Sequence, residues 1–202
     1  MNRFATVAIL AFLFALPGIA HAQHPTPPPV PTEIEVPTGY RPFLVGHAVG
    51  TQGYVCVAVG AKFRWVAFGP QATLFDREGK QQLTHFLNPT PYSLLPSPTW
   101  QHSRDTSAVW GQPLAASSDP NYVAADAIPW LLLEATVVGE GPTGGDTLMV
   151  TRYIQRVNTS GGVAPPTGCA AAADVTRRAL VPYEADYFFF EERARDGSDD
   201  LD

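Results

Sequence analysis

The sequence predicts an all-β fold, an antiparallel β-sandwich or barrel-like sandwich of about eight to ten strands with at most one short helix. Two observations favour this class. Short segments rich in β-branched and aromatic residues recur along the chain. The 20 prolines and 17 glycines interrupt these segments at short intervals. The 202 residues are enough for one domain with a sizeable core.

The first element is an export signal at residues 1–22. Arg3 gives it a positive start, an apolar run from Phe4 to Leu16 follows, and Ala20-His21-Ala22 supplies a small-x-small cleavage pattern before Gln23. An apolar run of about 13 residues is too short to span a bilayer as a helix. We therefore expect cleavage, a periplasmic or extracellular location, and no transmembrane segment in the mature chain.

The mature chain divides into three parts. Residues 23–42 hold seven prolines and are expected to form an extended linker or a strap laid over the domain. Residues 43–190 are the single β-rich domain. Residues 191–202 form an acidic tail that is expected to be disordered and solvated.

The first hairpin of the domain is expected to join strands at residues 52–59 and 63–68. A three-residue turn, Gly60-Ala61-Lys62, keeps the valines of the first strand on one face with the aromatic residues of the second. A two-residue turn would instead place Val57 opposite Arg64 and mix the faces. Later strands are expected at residues 72–75, 82–87, 99–102, 107–110 and 182–190, with loops at 88–98 and 111–121 and a short helix within 169–179.

The most apolar stretch of the mature chain, residues 128–138, is expected to be a central strand paired with residues 148–157. The simplest antiparallel register places Glu134 opposite Arg152. A cross-strand ion pair between them would account for a charge within such an apolar strand.

Two cysteines, Cys56 and Cys169, are present. In an exported chain they are expected to pair with each other, and the alternatives are a free thiol nucleophile or an intermolecular bond. The sequence contains no CxxC, HxH or HExxH pattern, so no metal site is expected. The formal net charge of −6 argues against a nucleic-acid partner.

Residues Gly139 to Gly144 match the pattern GxGxxG after an expected strand. In a dinucleotide-binding fold this loop opens a helix whose N-terminus holds the pyrophosphate. Here it leads into a β-branched strand. We therefore interpret it as a hairpin loop and expect no cofactor.

Candidate site residues come from two groups. His85 and His102 lie in strand-like segments with Asp105 near the second, which would suit acid–base chemistry if the three converge; surface or core-edge histidines are the alternative. Trp100 and Trp110 lie beside loops and would line a sugar- or lipid-binding groove, unless they serve core packing. An assembled histidine–aspartate cluster would indicate an enzyme, an open tryptophan groove a binding domain, and neither a structural protein.

A series of segments, in this order, resembles the domain-of-unknown-function family numbered 3455, which comprises exported proteins of bacteria and fungi. The segments are Gly53-Tyr54-Val55-Cys56, Pro70–Asp76, Pro98-Thr99-Trp100, Ile128–Leu133, Ile154–Gly162 and Val181–Phe189. The resemblance implies an exported domain with both cysteines in their usual places and no established activity, so no catalytic residues carry over. This chain departs from the family pattern after His85, where Phe86–Ser97 forms a longer, proline-rich link.

The sequence thus favours a non-enzymatic binding domain for a small or polymeric ligand such as a glycan or lipid. The alternatives are a hydrolase that uses His85, His102 and Asp105, and a structural envelope or stress protein without a ligand.

Overall fold

The computed structural model of the protein describes residues 24–194. The predicted signal peptide, residues 1–22, lies outside the described residues, as do residues 195–202 of the predicted tail. Eight antiparallel strands form a closed barrel in which each strand pairs with its neighbours in the sequence and β1 pairs with β8. The strands are β1 (Tyr40–Val59), β2 (Lys62–Phe75), β3 (Gln81–Thr90), β4 (Ser93–His102), β5 (Ala108–Ser117), β6 (Trp130–Gly139), β7 (Thr151–Gly161) and β8 (Arg178–Glu192).

Helical structure within residues 24–194 is limited to two three-residue 3₁₀ turns, Thr32–Ile34 and Ala172–Asp174. The second turn lies where the sequence predicts a short helix. No helix in the described part of the chain has the length and apolarity that a membrane span requires. The all-β prediction is confirmed. The strands pair in a closed cycle, although β2 pairs with β3 only over Ala72–Phe75 and β4 pairs with β5 only over Thr99–Gln101.

The up-and-down topology gives the barrel two different ends. The β1–β2, β3–β4, β5–β6 and β7–β8 connections meet at one end, here called the upper end, and the β2–β3, β4–β5 and β6–β7 connections meet at the lower end.

The core has two layers because β8 is buried on both faces. Tyr187 and Phe189 point into the barrel, where they pack with Trp100, whereas Phe188 and Phe190 belong to a second cluster on the outer face of β6, β7 and β8. This arrangement explains the uninterrupted aromatic run of the last strand. Each such fully buried side chain contributes roughly 1.5–3 kcal/mol to folding.

The proline-rich segment before β1 covers this outer cluster. Ile34 is fully buried in the cluster, and the Gln155 side-chain amide donates a hydrogen bond to the Ile34 carbonyl oxygen at 2.8 Å. The segment is therefore a packed strap. At the other terminus, Glu191 and Glu192 are the last residues of β8 and pair with Arg41 and Tyr40 of β1. An ion pair of 2.9 Å joins Glu191 to Arg41, so the predicted tail begins inside the last strand.

The predicted three-residue turn of the first hairpin is wrong. Val59 pairs with Lys62, so the turn consists of Gly60 and Ala61 alone, and Val57 lies opposite Arg64. Gly60 has a φ of 61°, which suits the first position of a two-residue hairpin turn. The mixed faces are tolerated because this end of the hairpin lies outside the main core, where Val59 is exposed.

Residues 88–98, predicted to be a loop, instead extend β3 and β4 into a hairpin in which Pro89 lies opposite Pro96. Prolines cannot donate to a ladder, but they are accepted in strands that lack a further neighbour. β5 likewise continues to Ser117 through a register shift near Pro113. Proline content misled the sequence interpretation at residues 88–98, and polar composition misled it at residues 111–117.

Candidate functional site

His85 lies in the barrel interior and has no access to a substrate. Its ring stacks on Trp100 with 4.1 Å between centroids, and its Nδ1 donates to the Thr99 carbonyl oxygen at 2.9 Å. Burial lowers the pKa of His85 to about 3; the Thr99 carbonyl opposes this shift and the nearby Arg156 charge adds to it. The imidazole is therefore neutral and serves as a packed aromatic group with one hydrogen bond.

His102 and Asp105 come together in the β4–β5 turn at the lower end, with 3.0 Å between His102 Nδ1 and Asp105 Oδ1. The carboxylate has other partners as well. Oδ1 accepts hydrogen bonds from the Ser107 amide (2.9 Å) and hydroxyl (2.7 Å), and Oδ2 accepts from the Thr147 amide (2.9 Å) and hydroxyl. Burial opposes ionisation, but the bonds from Thr147 and Ser107 outweigh it and lower the pKa of Asp105.

These contacts make Asp105 a bridge between the β4–β5 turn and the β6–β7 connection. Within the described residues, the hydrogen bond of the His85 ring goes to Thr99 and not to His102 or Asp105. The predicted cluster of His85, His102 and Asp105 therefore does not assemble. No group of three or more histidine, cysteine, aspartate or glutamate side chains in residues 24–194 is placed to hold a metal ion.

The GxGxxG segment is the start of the β6–β7 connection, and no helix follows it. A Cβ atom on Gly141 or Gly145 would lie 2.0 Å from the carbonyl oxygen of Asp105. Glycine is required at these positions because the backbone packs directly on the β4–β5 turn. The glycines thus close the lower end of the barrel.

The predicted tryptophan groove does not form. Trp100 is 0% exposed in the barrel interior, and Trp110 is 8% exposed and donates from Nε1 to the Pro89 carbonyl oxygen at 3.1 Å. Consecutive strand residues face opposite sides of a sheet, and β4 and β5 place one tryptophan inside and the other beneath the β3–β4 hairpin. Neither indole face is available to a ligand.

The predicted ion pair between Glu134 and Arg152 is also wrong. Glu134 lies opposite Tyr153, one residue further along, and the Arg152 guanidinium donates to the Thr151 carbonyl oxygen. A register change of one residue sends the two side chains to opposite faces of the sheet. Leu148, expected within the strand, is instead buried in the connection that precedes β7.

The Cys56–Cys169 disulfide is present, with 5.5 Å between the Cα atoms. It joins β1 to the β7–β8 connection at the upper end. Backbone hydrogen bonds beside it, from Cys56 to the Arg177 carbonyl and from Thr176 to the Cys56 carbonyl, hold the same connection against β1. The predicted pairing is confirmed.

A cleft of about 440 Å³ opens at the upper end. It lies between Tyr54 of β1, Val123 and Ala127 of the β5–β6 connection, and Val163 and Ala164 of the β7–β8 connection. We call it the upper cleft. None of the residues lining it is charged, and most are small and aliphatic.

Two polar groups shape the upper cleft. The Tyr54 hydroxyl donates to the Gly162 carbonyl oxygen at 2.7 Å, and burial raises the pKa of Tyr54 despite the nearby Arg156 guanidinium. Arg156 donates from Nε and Nη2 to the Pro129 carbonyl oxygen at 3.2 and 2.7 Å. These bonds fix two walls of the cleft without placing a charged side chain in it.

Sequence reasoning missed the upper cleft because no motif marks it. Its residues come from three distant segments, and small aliphatic residues have no distinctive pattern. The proline- and alanine-rich connection between β5 and β6 is the one local signal, since such a long connection in a small barrel often covers or borders a site.

Comparison with known proteins gives one result. The model of a family described as a protein of unknown function (DUF3455) matches residues 37–191. Neither a curated protein nor a solved structure gives a significant match.

Proposed function

Since this chain belongs to the DUF3455 family, whose function is unknown, its function has to be inferred from its own surface, and we propose that it is an exported, non-enzymatic domain that binds an apolar ligand group in the upper cleft. The observation that carries the proposal is the uncharged, mainly aliphatic lining of this cleft. Its volume of about 440 Å³ falls within the range of about 300–1,000 Å³ that is typical of small-molecule sites.

The lining favours a lipid chain over a glycan. Sugar sites combine exposed aromatic faces with several free donors and acceptors, whereas this cleft offers one tyrosine and one serine, Ser118, among aliphatic side chains. The hydroxyl hydrogen of the tyrosine, Tyr54, is already donated to the Gly162 carbonyl oxygen. An aliphatic group that replaces water in the cleft would gain about 0.8 kcal/mol for each buried methylene.

The positions of the candidate catalytic residues give no support to the hydrolase alternative. His85 is enclosed in the core, and the Asp105 carboxylate is committed to Ser107 and Thr147. Export is supported by the Cys56–Cys169 disulfide, since such bonds persist in oxidising compartments and are rare in the cytosol.

The experiment compares ligand classes on the disulfide-bonded protein by isothermal titration calorimetry. The probes are decanol, monolaurin, maltohexaose and chitohexaose. Ala124→Trp narrows the upper cleft from an exposed position on its rim, and Ala116→Trp is the matched control on an exposed alanine of β5 outside the cleft.

We expect saturable binding of decanol or monolaurin that Ala124→Trp weakens by at least about tenfold, equivalent to about 1.4 kcal/mol, and that Ala116→Trp leaves unchanged. Binding of the oligosaccharides alone would contradict the lipid assignment. Absence of binding by every probe would favour the structural envelope or stress protein. Equal effects of the two variants would place the binding site elsewhere.

A further inference from the structure

The hairpin formed by the ends of β3 and β4 projects from the upper end of the barrel. We call residues 87–98 the arm. Its two strands pair with each other, Leu87 opposite Pro98 and Thr90 opposite Ser93, whereas the pairing of β2 with β3 ends at His85 and that of β5 with β4 ends at Thr99. The arm thus leaves the sheet as a free two-stranded projection.

The arm carries the most exposed large apolar side chains of the described chain. Tyr92 at the turn is 87% exposed, Leu94 is 92% exposed and Leu95 is 76% exposed. Leu94 and Leu95 lie in a bulge without partners on the opposite strand, because the register shifts between the Pro89–Pro96 and Thr90–Ser93 pairs. Both leucine side chains are therefore presented to solvent next to the turn.

The arm also lacks charge. Residues 86–101 contain no aspartate, glutamate, lysine or arginine, although the chain as a whole has 32 such residues, 13 basic and 19 acidic. Soluble proteins protect exposed strand edges with charged side chains or with proline. The arm has proline and no charge, so its tip could enter an apolar environment without burying a charged group.

Two contacts hold the arm in place. The Trp110 indole donates a hydrogen bond to the Pro89 carbonyl oxygen at 3.1 Å. Leu87 packs closely on Gly69 of β2, so that a Cβ atom added to Gly69 would lie 2.6 Å from Leu87 Cγ. Prolines at positions 89, 91, 96 and 98 restrict the backbone further. The apolar tip is therefore presented by a stiff support, which reduces the entropy lost when it binds.

We propose that the arm docks this protein onto a lipid surface by inserting Tyr92, Leu94 and Leu95 into the interfacial region of a phospholipid bilayer. A bilayer surrounds an inserted hairpin tip, so it accepts apolar side chains whichever way they point. Tyrosine suits the boundary between headgroups and acyl chains because its ring is apolar and its hydroxyl is polar. The inference goes beyond the upper cleft and does not depend on a ligand there.

The charge of the protein predicts which lipids it prefers. With a formal net charge of −6 and no cation on the arm, attraction to anionic headgroups is not expected, and binding should come from apolar burial. Partition into phosphatidylcholine vesicles should equal or exceed partition into vesicles that contain phosphatidylglycerol. Added salt should not weaken partition into either kind of vesicle.

The test is flotation of the full disulfide-bonded protein with phosphatidylcholine vesicles. The double variant Leu94→Ser/Leu95→Ser should reduce the partition coefficient by at least about tenfold. The matched control is Leu114→Ser/Leu180→Ser, whose leucines are 52% and 56% exposed on β5 and β8, outside the arm, and it should float like the parent protein. Failure of the parent protein to float, or an equal loss in both variants, would refute the proposal.

Two further measurements separate lipid insertion from other uses of the arm. The tryptophan introduced by Tyr92→Trp should be quenched by brominated acyl chains, and continued flotation without quenching would show that another surface binds. Sedimentation equilibrium without lipid should give a monomer. A dimer abolished by Leu94→Ser/Leu95→Ser would assign the arm to self-association and overturn the proposal.

Discussion

The two ends of the barrel are built on opposite principles. At the lower end, Asp105 joins two connections through hydrogen bonds from Ser107 and Thr147, and glycines allow backbone to pack on backbone. At the upper end, the Cys56–Cys169 disulfide anchors one connection, while the cleft and the arm present uncharged surfaces to solvent.

The comparison distinguishes residues that look catalytic in the sequence from surfaces that are exposed to solvent and could contact a ligand. Histidine, aspartate and the glycine-rich loop stand out in the sequence, yet in the fold His85 is bonded to Thr99 and Asp105 is bonded to Ser107 and Thr147. The upper cleft and the arm consist mainly of alanine, valine, leucine and proline, whose side chains carry no catalytic group. Our proposals therefore rest on exposed apolar area and not on the positions of titratable groups.

We expect the largest loss of stability from removing the disulfide at the upper end. Cys56→Ala/Cys169→Ala removes a bond that closes a sequence separation of 113 residues. The chain-entropy model predicts a loss of about 4–5 kcal/mol in the free energy of unfolding for a loop of this size. Urea denaturation of the variant and of the oxidised parent protein measures it. If this variant loses less unfolding free energy than Asp105→Ala at the lower end, the expected order of the two stability effects is wrong.

We expect the next largest loss of stability from a substitution at the lower end. Asp105→Ala removes the acceptor of hydrogen bonds from Ser107 and Thr147, and we expect a loss of about 2–3 kcal/mol at pH 7. Asp126→Ala, at an exposed position in the β5–β6 connection, is the control and should change stability by less than about 0.5 kcal/mol.

The same variant tests the lowered pKa of Asp105. The unfolded chain binds a proton at this carboxyl near pH 4, whereas the folded chain does not. The stabilisation is therefore complete above the unfolded pKa and is lost as the pH falls toward the folded one. Between about pH 4 and pH 2, Asp105→Ala should lose stability less steeply than the parent protein. Parallel pH profiles would show that the carboxylate does not bridge the two connections.

The smallest effect concerns the interior between the two ends. His85→Phe keeps an aromatic ring against Trp100 but loses the hydrogen bond to the Thr99 carbonyl oxygen, which should cost about 1 kcal/mol at pH 8. Unfolded His85 binds a proton near pH 6.5, while burial holds the folded pKa at about 3.

The parent protein should therefore lose stability as the pH falls from about 6.5 toward 3, because the unfolded state takes up more protons in this window. In His85→Phe this part of the slope should disappear, whereas His24→Phe, at an exposed position in the strap, should retain it. Chemical denaturation at pH 8, 6 and 4.5 compares the three proteins. An unchanged slope in His85→Phe would place the imidazole in contact with solvent.

Several features were predictable because they depend on local chemistry. Short β-branched segments between prolines and glycines predicted an all-β fold, and the GxGxxG segment was recognised as a hairpin loop because a strand and not a helix follows it. The pairing of Cys56 with Cys169 followed from there being two cysteines in a chain with a predicted export signal. These inferences needed no knowledge of how the strands are arranged in space.

Apart from the loops predicted at residues 88–98 and 111–121, the assignments that failed depended on register or on which face of a strand is inside. One residue of register separates the predicted Glu134–Arg152 pair from the observed Glu134–Tyr153 pair, and one residue of turn length changes the first hairpin. The sequence spacing also could not show that His85 and Trp100 face inward while Trp110 faces out.

Residue composition and spacing were enough to predict antiparallel strands, the positions of most of them, and one disulfide between two distant segments. Alternation of side chains divides each strand into two faces, but it does not say which face the closed barrel will enclose. The fold was needed to show that His85 and Trp100 belong to the core, and that an uncharged cleft and an apolar arm share the upper end. Barrel closure buries one face of every strand at once, so the role of each residue depends on contacts between segments far apart in the chain.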